Sequence, residues 1–279
     1  MYMGETQAEN QNPILVTGGT GKTGRRVAER LVNRGESVRI GSRTGAIPFD
    51  WEDTATYEPA LSGARAAYIS YYPDMTFPGA YESIDAFSKI AVENGVKRLV
   101  VLSGRGEAEA IRCEDVVRAN GADWTILRGA WFAQNFSEHF LLDYVLAGEI
   151  ALPAGDVAEP FVDLDDLADV AVEALTDEAH IGQIYEMTGP RLLTFAEVAT
   201  EFTKALGREV VYQPMSHEDY AAALAEYGMP SHFSDLMKEV LDGRNAHTSD
   251  DISKVLGRPA KDFADYIKDA AATGVWNVS

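Results

Sequence analysis

Apolar residues along the first two thirds of the chain alternate between short β-branched runs and longer stretches with helical spacing. The first run, Ile14–Thr17, ends at glycines, and Val27, Ala28 and Leu31 follow at the spacing of an amphipathic helix. The alternation predicts strands at 14–17, 37–41, 66–70, 98–103, 124–127 and 184–187, and helices at 24–33, 80–94, 107–119 and 164–175. Strands and helices at this spacing imply parallel pairing through helical crossovers. We therefore predict an α/β fold with a doubly wound parallel sheet of the Rossmann type.

Two regions depart from this alternation. Residues 42–66 hold no convincing strand, so we expect one position of the sheet to be missing or vestigial. After Gly129 the pattern loosens, and it predicts a helix at 133–146, a strand near Ile150 and mostly helices from Val210 onward. A capping box, Thr194–Glu197, predicts the start of a helix that runs to Leu206.

These patterns divide the chain into a sheet domain at 12–188 and a smaller, mostly helical lobe at 189–279, with 133–155 contributing to the lobe. Open α/β sheets bind ligands at the carboxyl edge of the strands. We expect the lobe to lie over that edge and to bind a substrate.

Composition narrows the function classes. The 279 residues contain one cysteine, Cys113, which excludes an internal disulfide and Cys-based zinc clusters and is typical of a reducing compartment. No stretch approaches the roughly 20 apolar residues of a membrane helix, and residues 1–11 are too polar for a signal peptide. The predicted location is the cytoplasm, with no membrane partner and no metal site.

The net charge of −20 is the most unusual bulk property. Because a chain this acidic repels polyphosphates, we expect no nucleic-acid partner and a small-molecule substrate instead. An anionic cofactor binds such a chain only where local cations and backbone N–H groups overcome the overall field. The oligomeric state is left open between monomer and homodimer.

A glycine-rich loop between the first predicted strand and helix provides such a place. Gly18, Gly21 and Gly24 give the spacing G-x-x-G-x-x-G, which allows a tight turn, close approach of a pyrophosphate and close packing of the helix. The N-terminal end of the helix then presents N–H groups and a positive dipole to phosphate. The alternative reading as a triphosphatase loop fails because position 16 is Val. The loop predicts a dinucleotide site.

The end of the second strand predicts which dinucleotide is bound. Enzymes that prefer NAD place an acidic residue about 20 residues after the glycines, on the ribose hydroxyls. This chain has Ser42 and Arg43 there, which offer a hydroxyl and a planar guanidinium to a 2′-phosphate, and Lys22 adds charge from the loop. We therefore predict NADP(H) as the cofactor.

Several segments together resemble one family. The loop TGGTGKTGRRVAERL, the strand end SRT, the run KRLVVLSGRG, and the later WTILRGAWFAQNF and TGPRLLTFAEVA are similar to the NmrA-like branch of the atypical short-chain dehydrogenases. The resemblance runs from about Pro13 to Trp276. It implies an NADP(H)-binding Rossmann domain and one of two activities, since the branch includes quinone, azo and triphenylmethane dye reductases and also regulators that bind the dinucleotide without turnover.

The resemblance also implies site residues. The pyrophosphate would be held by Gly18, Gly19, Thr20, Gly21, Lys22, Thr23 and Gly24, and the 2′-phosphate by Ser42 and Arg43. Asp50 and Trp51 would line the adenine, and Ser70, Tyr71, Tyr72 and Ser103 would lie along the ribose and nicotinamide. Trp131, Phe132, Gln134 and Asn135 would lie at the mouth of the substrate pocket.

Two catalytic groups of the wider superfamily are missing. None of the twelve tyrosines is followed by lysine four residues later, and no lysine occurs between Lys97 and Lys204. The catalytic residues are therefore left unassigned, with Asn135 and His217 as candidates. We expect an NADPH-dependent oxidoreductase that reduces a small electron-poor, quinone-like or aromatic acceptor. The alternatives are a catalytically silent NADP(H)-sensing regulator and a redox-neutral biosynthetic enzyme that retains the dinucleotide.

Overall fold

The structure is a computed structural model that describes residues 12–278. Its strands are β1 (Ile14–Thr17), β2 (Val38–Gly41), β3 (Ala66–Ile69), β4 (Arg98–Gly104), β5 (Asp123–Gly129), β6 (Glu149–Leu152), β7 (Ala158–Glu159), β8 (Gln183–Met187), β9 (Leu193–Thr194) and β10 (Val211–Pro214). Its helices are α1 (Lys22–Asn33), α2 (Tyr57–Leu61), α3 (Ala80–Glu93), α4 (Ala108–Ala119), α5 (Asn135–Glu138), α6 (Leu142–Ala147), α7 (Leu164–Thr176), α8 (Phe195–Leu206), α9 (His217–Glu226), α10 (His232–Val240), α11 (Asp251–Leu256) and α12 (Phe263–Ala272).

Six strands form the main sheet, in the order β2-β1-β3-β4-β5-β8. Pairing is parallel from β2 through β4, with Val16 opposite Ile40 on one side and Tyr68 on the other. β1 and β3 are buried along their whole length, because helices cover both sides of a crossover-connected sheet. Leu15, Ala67 and Leu99 join the core beneath α3 and α4. The predicted doubly wound fold is confirmed.

No strand of the main sheet comes from residues 42–65. This segment contributes isolated bridges, a short 3₁₀ helix at Thr54–Thr56 and α2. Within the described part of the chain, β2 is an edge strand of the main sheet, and the sheet has no strand from the segment where the sequence predicts a missing position.

A ladder of ion pairs joins α1 to α7. Arginines at every fourth position of α1 and of its C-cap meet acids at every fourth position of α7: Arg26 with Asp165 at 3.2 Å, Arg30 with Asp169 at 2.6 Å, and the C-cap residue Arg34 with Glu173. Burial alone would raise the pKa of Asp165, but Arg26 and Arg30 outweigh it and hold the pKa below its usual value. This contribution to stability is present above the unfolded-state pKa of about 3.9. It is lost as the pH falls through the lowered folded-state pKa.

The predicted helix at 133–146 is wrong, because the structure breaks it into α5 and α6. His139 between them is extended, with φ −151° and ψ −160°. Phe136 and Leu141 are both fully buried, yet five residues of a continuous helix would turn them about 140° apart. The break brings both side chains into one core.

The described residues group into two compact units. The first comprises residues up to 104 together with 108–128 and 164–186; the second comprises 105–107, 129–163 and 187 onward. The boundary that the sequence predicts at residue 188, between the sheet domain and the substrate-binding lobe, stays a prediction.

The second unit has its own core and two small sheets. The parallel pair β6 and β10 has Ile150 opposite Tyr212, and the antiparallel pair β7 and β9 has Glu159 opposite Leu193. The capping box at the start of α8 forms as predicted, with both Thr194 and Glu197 hydrogen bonds present. Aromatic side chains fill the core: Phe136, Phe161, Phe195, Phe202, Phe263 and Trp276.

None of the helices that the structure describes in residues 12–278 is both long and apolar enough to cross a bilayer. No cluster of three metal-ligating side chains occurs in that range.

Candidate functional site

The carboxyl ends of parallel strands bring the predicted dinucleotide residues to one edge of the sheet. Thr17 ends β1 opposite Gly41 at the end of β2, and β3 and β4 run parallel beside them. The glycine loop, the Ser42–Arg43 turn and Ser70 therefore leave the sheet on the same side.

The glycine loop is closed by backbone contacts that exclude side chains. Gly18 has φ +60°, a conformation that favours glycine. A Cβ on Gly24 would lie 2.2 Å from the Gly18 carbonyl oxygen, and one on Gly19 would lie 2.9 Å from the Val16 carbonyl oxygen. The first turn of α1 thus packs directly on the loop.

The N-terminal end of α1 has no side-chain cap. Gly21 is the N-cap residue, and the first turn carries no acidic side chain. Helix N-terminal N–H groups without a capping side chain are suited to an anion. Thr20 is exposed and Lys22 half-buried in this turn, whereas Thr23 is buried, with its hydroxyl 3.4 Å from that of Ser70.

Thr17 is a site residue that the sequence reasoning missed. Its hydroxyl donates to the Tyr68 carbonyl oxygen at 3.0 Å and accepts from the Ser70 amide at 2.9 Å. It therefore ties the end of β1 to the end of β3 directly beneath the glycine loop. The available signal was its place as the last polar residue of a buried strand, immediately before the glycines.

Ser42 and Arg43 form a fixed turn with an outward cation. The Ser42 carbonyl oxygen accepts from the amides of Gly45 at 3.2 Å and Phe49 at 3.0 Å. Arg43 is exposed, and no residue of the described range 12–278 forms an ion pair or hydrogen bond with its guanidinium. A cation held on a rigid turn at this edge is available to an anionic group.

Trp51 lies in an aromatic cluster and supports β3. It is 7% exposed, packs edge-on against Phe49 at 4.8 Å, and donates its indole N–H to the Ser70 carbonyl oxygen at 3.1 Å. Asp50 is half-buried and accepts from the Glu52 amide at 3.1 Å. The predicted contact of Asp50 and Trp51 with adenine stays a prediction.

The three residues that follow β3 differ in exposure. Ser70 is held by the Thr17 and Trp51 contacts described above, and Tyr71 packs on Trp51 with 5.1 Å between ring centroids. Burial raises the pKa of Tyr71, so its hydroxyl stays protonated at neutral pH. Tyr72 is 74% exposed.

Ser103 is engaged in a buried network. Its hydroxyl donates to Glu114 at 2.7 Å. Arg128 donates to both oxygens of the same carboxylate, at 2.9 Å to one and 2.6 Å to the other. Glu114 is fully buried. Sequence reasoning identified Ser103 but not its two partners, which come from α4 and β5.

The predicted substrate residues lie in the second unit, in the loop before α5. Trp131 is half-buried and packs on Phe195 with 5.3 Å between ring centroids. Phe132 forms an isolated β-bridge with Val162. Gln134 is 3% exposed and donates its amide to Asp163 at 2.9 Å. Asn135, half-buried, begins α5.

His217 begins α9, after the Ser216 cap. Its ring Nδ1 is buried and has no hydrogen-bond partner in the described chain. The catalytic candidacy of His217 and Asn135 stays a prediction.

These residues fit a dinucleotide phosphate. The loop has no room for side chains at Gly19 and Gly24, the first turn of α1 offers uncapped N–H groups, and Arg43 supplies a cation. The first two features are suited to any pyrophosphate, and the contact of Arg43 with a 2′-phosphate stays a prediction.

Comparison with known proteins gives the family. Residues 10–269 match the NmrA-like family. This chain belongs to the NmrA-like family. The resemblance inferred from the sequence is confirmed.

Relatives of this NmrA-like chain include named oxidoreductases. An uncharacterised oxidoreductase of Bacillus subtilis, YesF, is 30% identical over 95% of this chain and 98% of its own length. An NAD(P)H azoreductase of Xenophilus azovorans is 31% identical over 93% of this chain and 98% of its own length. These names agree with the predicted class, an NAD(P)H-dependent oxidoreductase.

Solved structures confirm the fold of the NmrA-like chain. An NADPH-dependent quinone oxidoreductase of Escherichia coli, crystallised with NADPH, has a TM-score of 0.74 at 24% identity and covers 92% of this chain and 99% of that one. A Citrobacter sp. triphenylmethane reductase complexed with NADP(H) has a TM-score of 0.72 at 24% identity, with the same coverage of 92% and 99%. The dinucleotides bound in these two structures agree with the predicted cofactor, NADP(H).

Proposed function

We propose that this protein is an NADPH-dependent reductase that transfers hydride to a small, electron-poor, quinone-like or aromatic acceptor. The observation that carries the proposal is Arg43, an exposed and unpaired guanidinium within residues 12–278, on a fixed turn beside an uncapped helix N-terminus. The azoreductase and quinone oxidoreductase named above support the class of acceptor.

The chain's own groups would do the binding and orienting. The first turn of α1 and the backbone of 18–24 would hold the pyrophosphate, and Ser42 and Arg43 the 2′-phosphate. Ser70, fixed by Thr17 and Trp51, would set the path of the ribose and nicotinamide over the end of β3. The bound NADPH would supply the hydride.

The acceptor class follows from the missing proton donor. Hydride addition to an ordinary ketone leaves an alkoxide about as basic as hydroxide, whose parent water has a pKa of ~15.7. Addition to a quinone leaves a phenolate-like oxygen, with a parent pKa of ~10. The difference of ~6 units corresponds to roughly 8 kcal/mol. No tyrosine is followed by lysine at the fourth position, and no lysine lies between 97 and 204, so the chain favours the acceptor that needs less help from a general acid.

The test compares a simple quinone with a simple aliphatic ketone. With NADPH between about pH 6 and 8, kcat/KM for the quinone should exceed that for the ketone by at least the ~10²–10⁴-fold that a general acid typically supplies. Comparable turnover of the ketone, abolished in His217→Gln or in one tyrosine variant, would contradict the acceptor class. Tight NADPH binding without oxidation by any acceptor would indicate a dinucleotide-sensing protein instead.

A further inference from the structure

Glu159 on β7 is a fully buried carboxylic acid without a hydrogen-bond partner. Its exposure is 0%, and no group in the described residues donates to either carboxylate oxygen. Leu193, opposite it on β9, is apolar and buried. Buried carboxylates are normally paired or hydrogen-bonded, because an isolated buried charge is costly.

The positive charge that acts on Glu159 is that of Arg105, whose guanidinium is held by other groups. Arg105 is 2% exposed and donates to the carbonyl oxygens of Asn245 at 2.8 Å and His247 at 2.9 Å. The Asn245 side-chain amide returns a hydrogen bond to the Arg105 carbonyl oxygen at 3.0 Å. We call these three hydrogen bonds the Arg105 bridge.

The Arg105 bridge fixes the chain where it leaves β4. Arg105 is the first residue after that strand, and the bridge joins segment 105–107 to the loop 244–249. Thr188, the first residue after β8, binds the same loop through the Ser249 amide at 2.9 Å and carbonyl oxygen at 3.2 Å.

Two arrangements of the Arg105 guanidinium compete. The observed one, on two carbonyl oxygens, leaves the Glu159 carboxyl unpaired, which is tolerable when that carboxyl is neutral. An ionised Glu159 would require a cation, and charge-assisted pairing with a guanidinium is stronger than its bonds to neutral carbonyl oxygens. We propose that Glu159 is a positioning residue for the reductase: its neutral form leaves the Arg105 bridge closed, and its ionised form draws the guanidinium away and opens it.

The charges around Glu159 place this change near neutral pH. Burial raises the pKa of Glu159 to about 7, with Arg105 lowering it and Asp242 raising it. Asp242 is exposed and paired with Arg244, which holds the Asp242 pKa below its usual value, so its charge is constant over this range. His247 is exposed and carries a second ionisable side chain on this loop, so a variant at that position must serve as a control.

Hydrogen exchange of the amides in 105–107 and 244–249 tests the proposal without any turnover. After correction for intrinsic exchange, wild-type protection should fall about tenfold between pH 6 and 8, the change in the neutral fraction of an acid with a pKa near 7. Glu159→Gln should show the closed bridge at both pH values. Glu159→Met is a second neutral variant should the glutamine fold poorly.

Two control variants separate titration from simple loosening. Thr188→Val removes a contact of the same loop without removing a titratable group, so it should lower protection while keeping the pH dependence. His247→Gln should also keep the pH dependence. Equal pH dependence in wild type and Glu159→Gln would overturn the proposal, as would its loss in His247→Gln.

Activity provides a second readout, which rests on the proposed function. With NADPH and a simple quinone, wild-type kcat/KM should fall above pH 7, whereas the Glu159→Gln profile should lack this inflection. If no acceptor is reduced, the proposed function fails, but the exchange measurement still decides the role of Glu159. If both profiles are the same while the quinone is reduced, Glu159 does not act on the reaction.

Discussion

The sequence predicts ligand contacts for both the glycine loop and the segment 131–135, and the two regions differ in which groups would make those contacts. In the loop, the groups that would face the ligand are backbone N–H groups at an uncapped helix end. In 131–135, the groups predicted to face a ligand are side chains, and two of them make contacts inside the second unit. Gln134 donates to Asp163, and Trp131 packs on Phe195. A site built from backbone is therefore more predictable from local sequence than one built from side chains.

The largest expected effect breaks the backbone site. Gly24→Ala places a Cβ 2.2 Å from the Gly18 carbonyl oxygen, so α1 or the loop must shift. We expect a clear fall in Tm and a loss of NADPH affinity greater than that caused by removing Arg43. Gly21→Ala is the matched control, because its Cβ would approach the same oxygen only to 3.1 Å. Differential scanning fluorimetry and cofactor titration measure both; equal Tm losses in the two variants would refute the packing argument.

A smaller effect is expected from removing the Arg43 side chain. Arg43→Ala should weaken NADPH binding by ~10- to 150-fold, because a charged bidentate hydrogen bond contributes ~1.5–3 kcal/mol. NADH lacks the 2′-phosphate, so its affinity should change little. Titration of both cofactors into both proteins gives the answer. Unchanged NADPH affinity in the variant would remove Arg43 from the site and with it the main support for NADP(H).

The smallest expected effect on ligand binding comes from the side-chain region. Gln134→Leu removes the donor to a buried Asp163, which should cost about 1–3 kcal/mol of unfolding free energy. NADPH affinity and KM for the acceptor should stay close to wild type. Asn135→Ala, at a half-buried neighbour, should cost less stability. A raised KM in Gln134→Leu without loss of stability would place Gln134 at the substrate after all.

The ion-pair ladder shows the same limit for charged residues. The spacing of Arg26, Arg30 and Arg34 is visible in the sequence, as is that of Asp165, Asp169 and Glu173. The two rows face each other because α1 packs on α7. The paired residues are 139 positions apart in the sequence. The spacing within each row does not specify which row pairs with which.

The burial of Glu159 cannot be predicted from the sequence around it. Nothing in Ala158-Glu159-Pro160 distinguishes this glutamate from any surface acid in a chain with 44 acidic residues. Its burial follows from the pairing of β7 with β9, and the influence of Arg105 comes from a residue 54 positions earlier.

The amino-acid sequence alone predicts the strand–helix alternation, the glycine loop, the cation at the end of β2 and the family. These features depend on local backbone geometry and short spacings, which a contiguous segment carries whatever surrounds it. The three-dimensional structure was needed to show that 133–146 breaks so that Phe136 and Leu141 share a core, that Gln134 binds Asp163, and that Ser103 binds Glu114. Each of these outcomes depends on which distant side chain occupies the same volume, and a buried polar group takes whichever partner packing brings within hydrogen-bond distance.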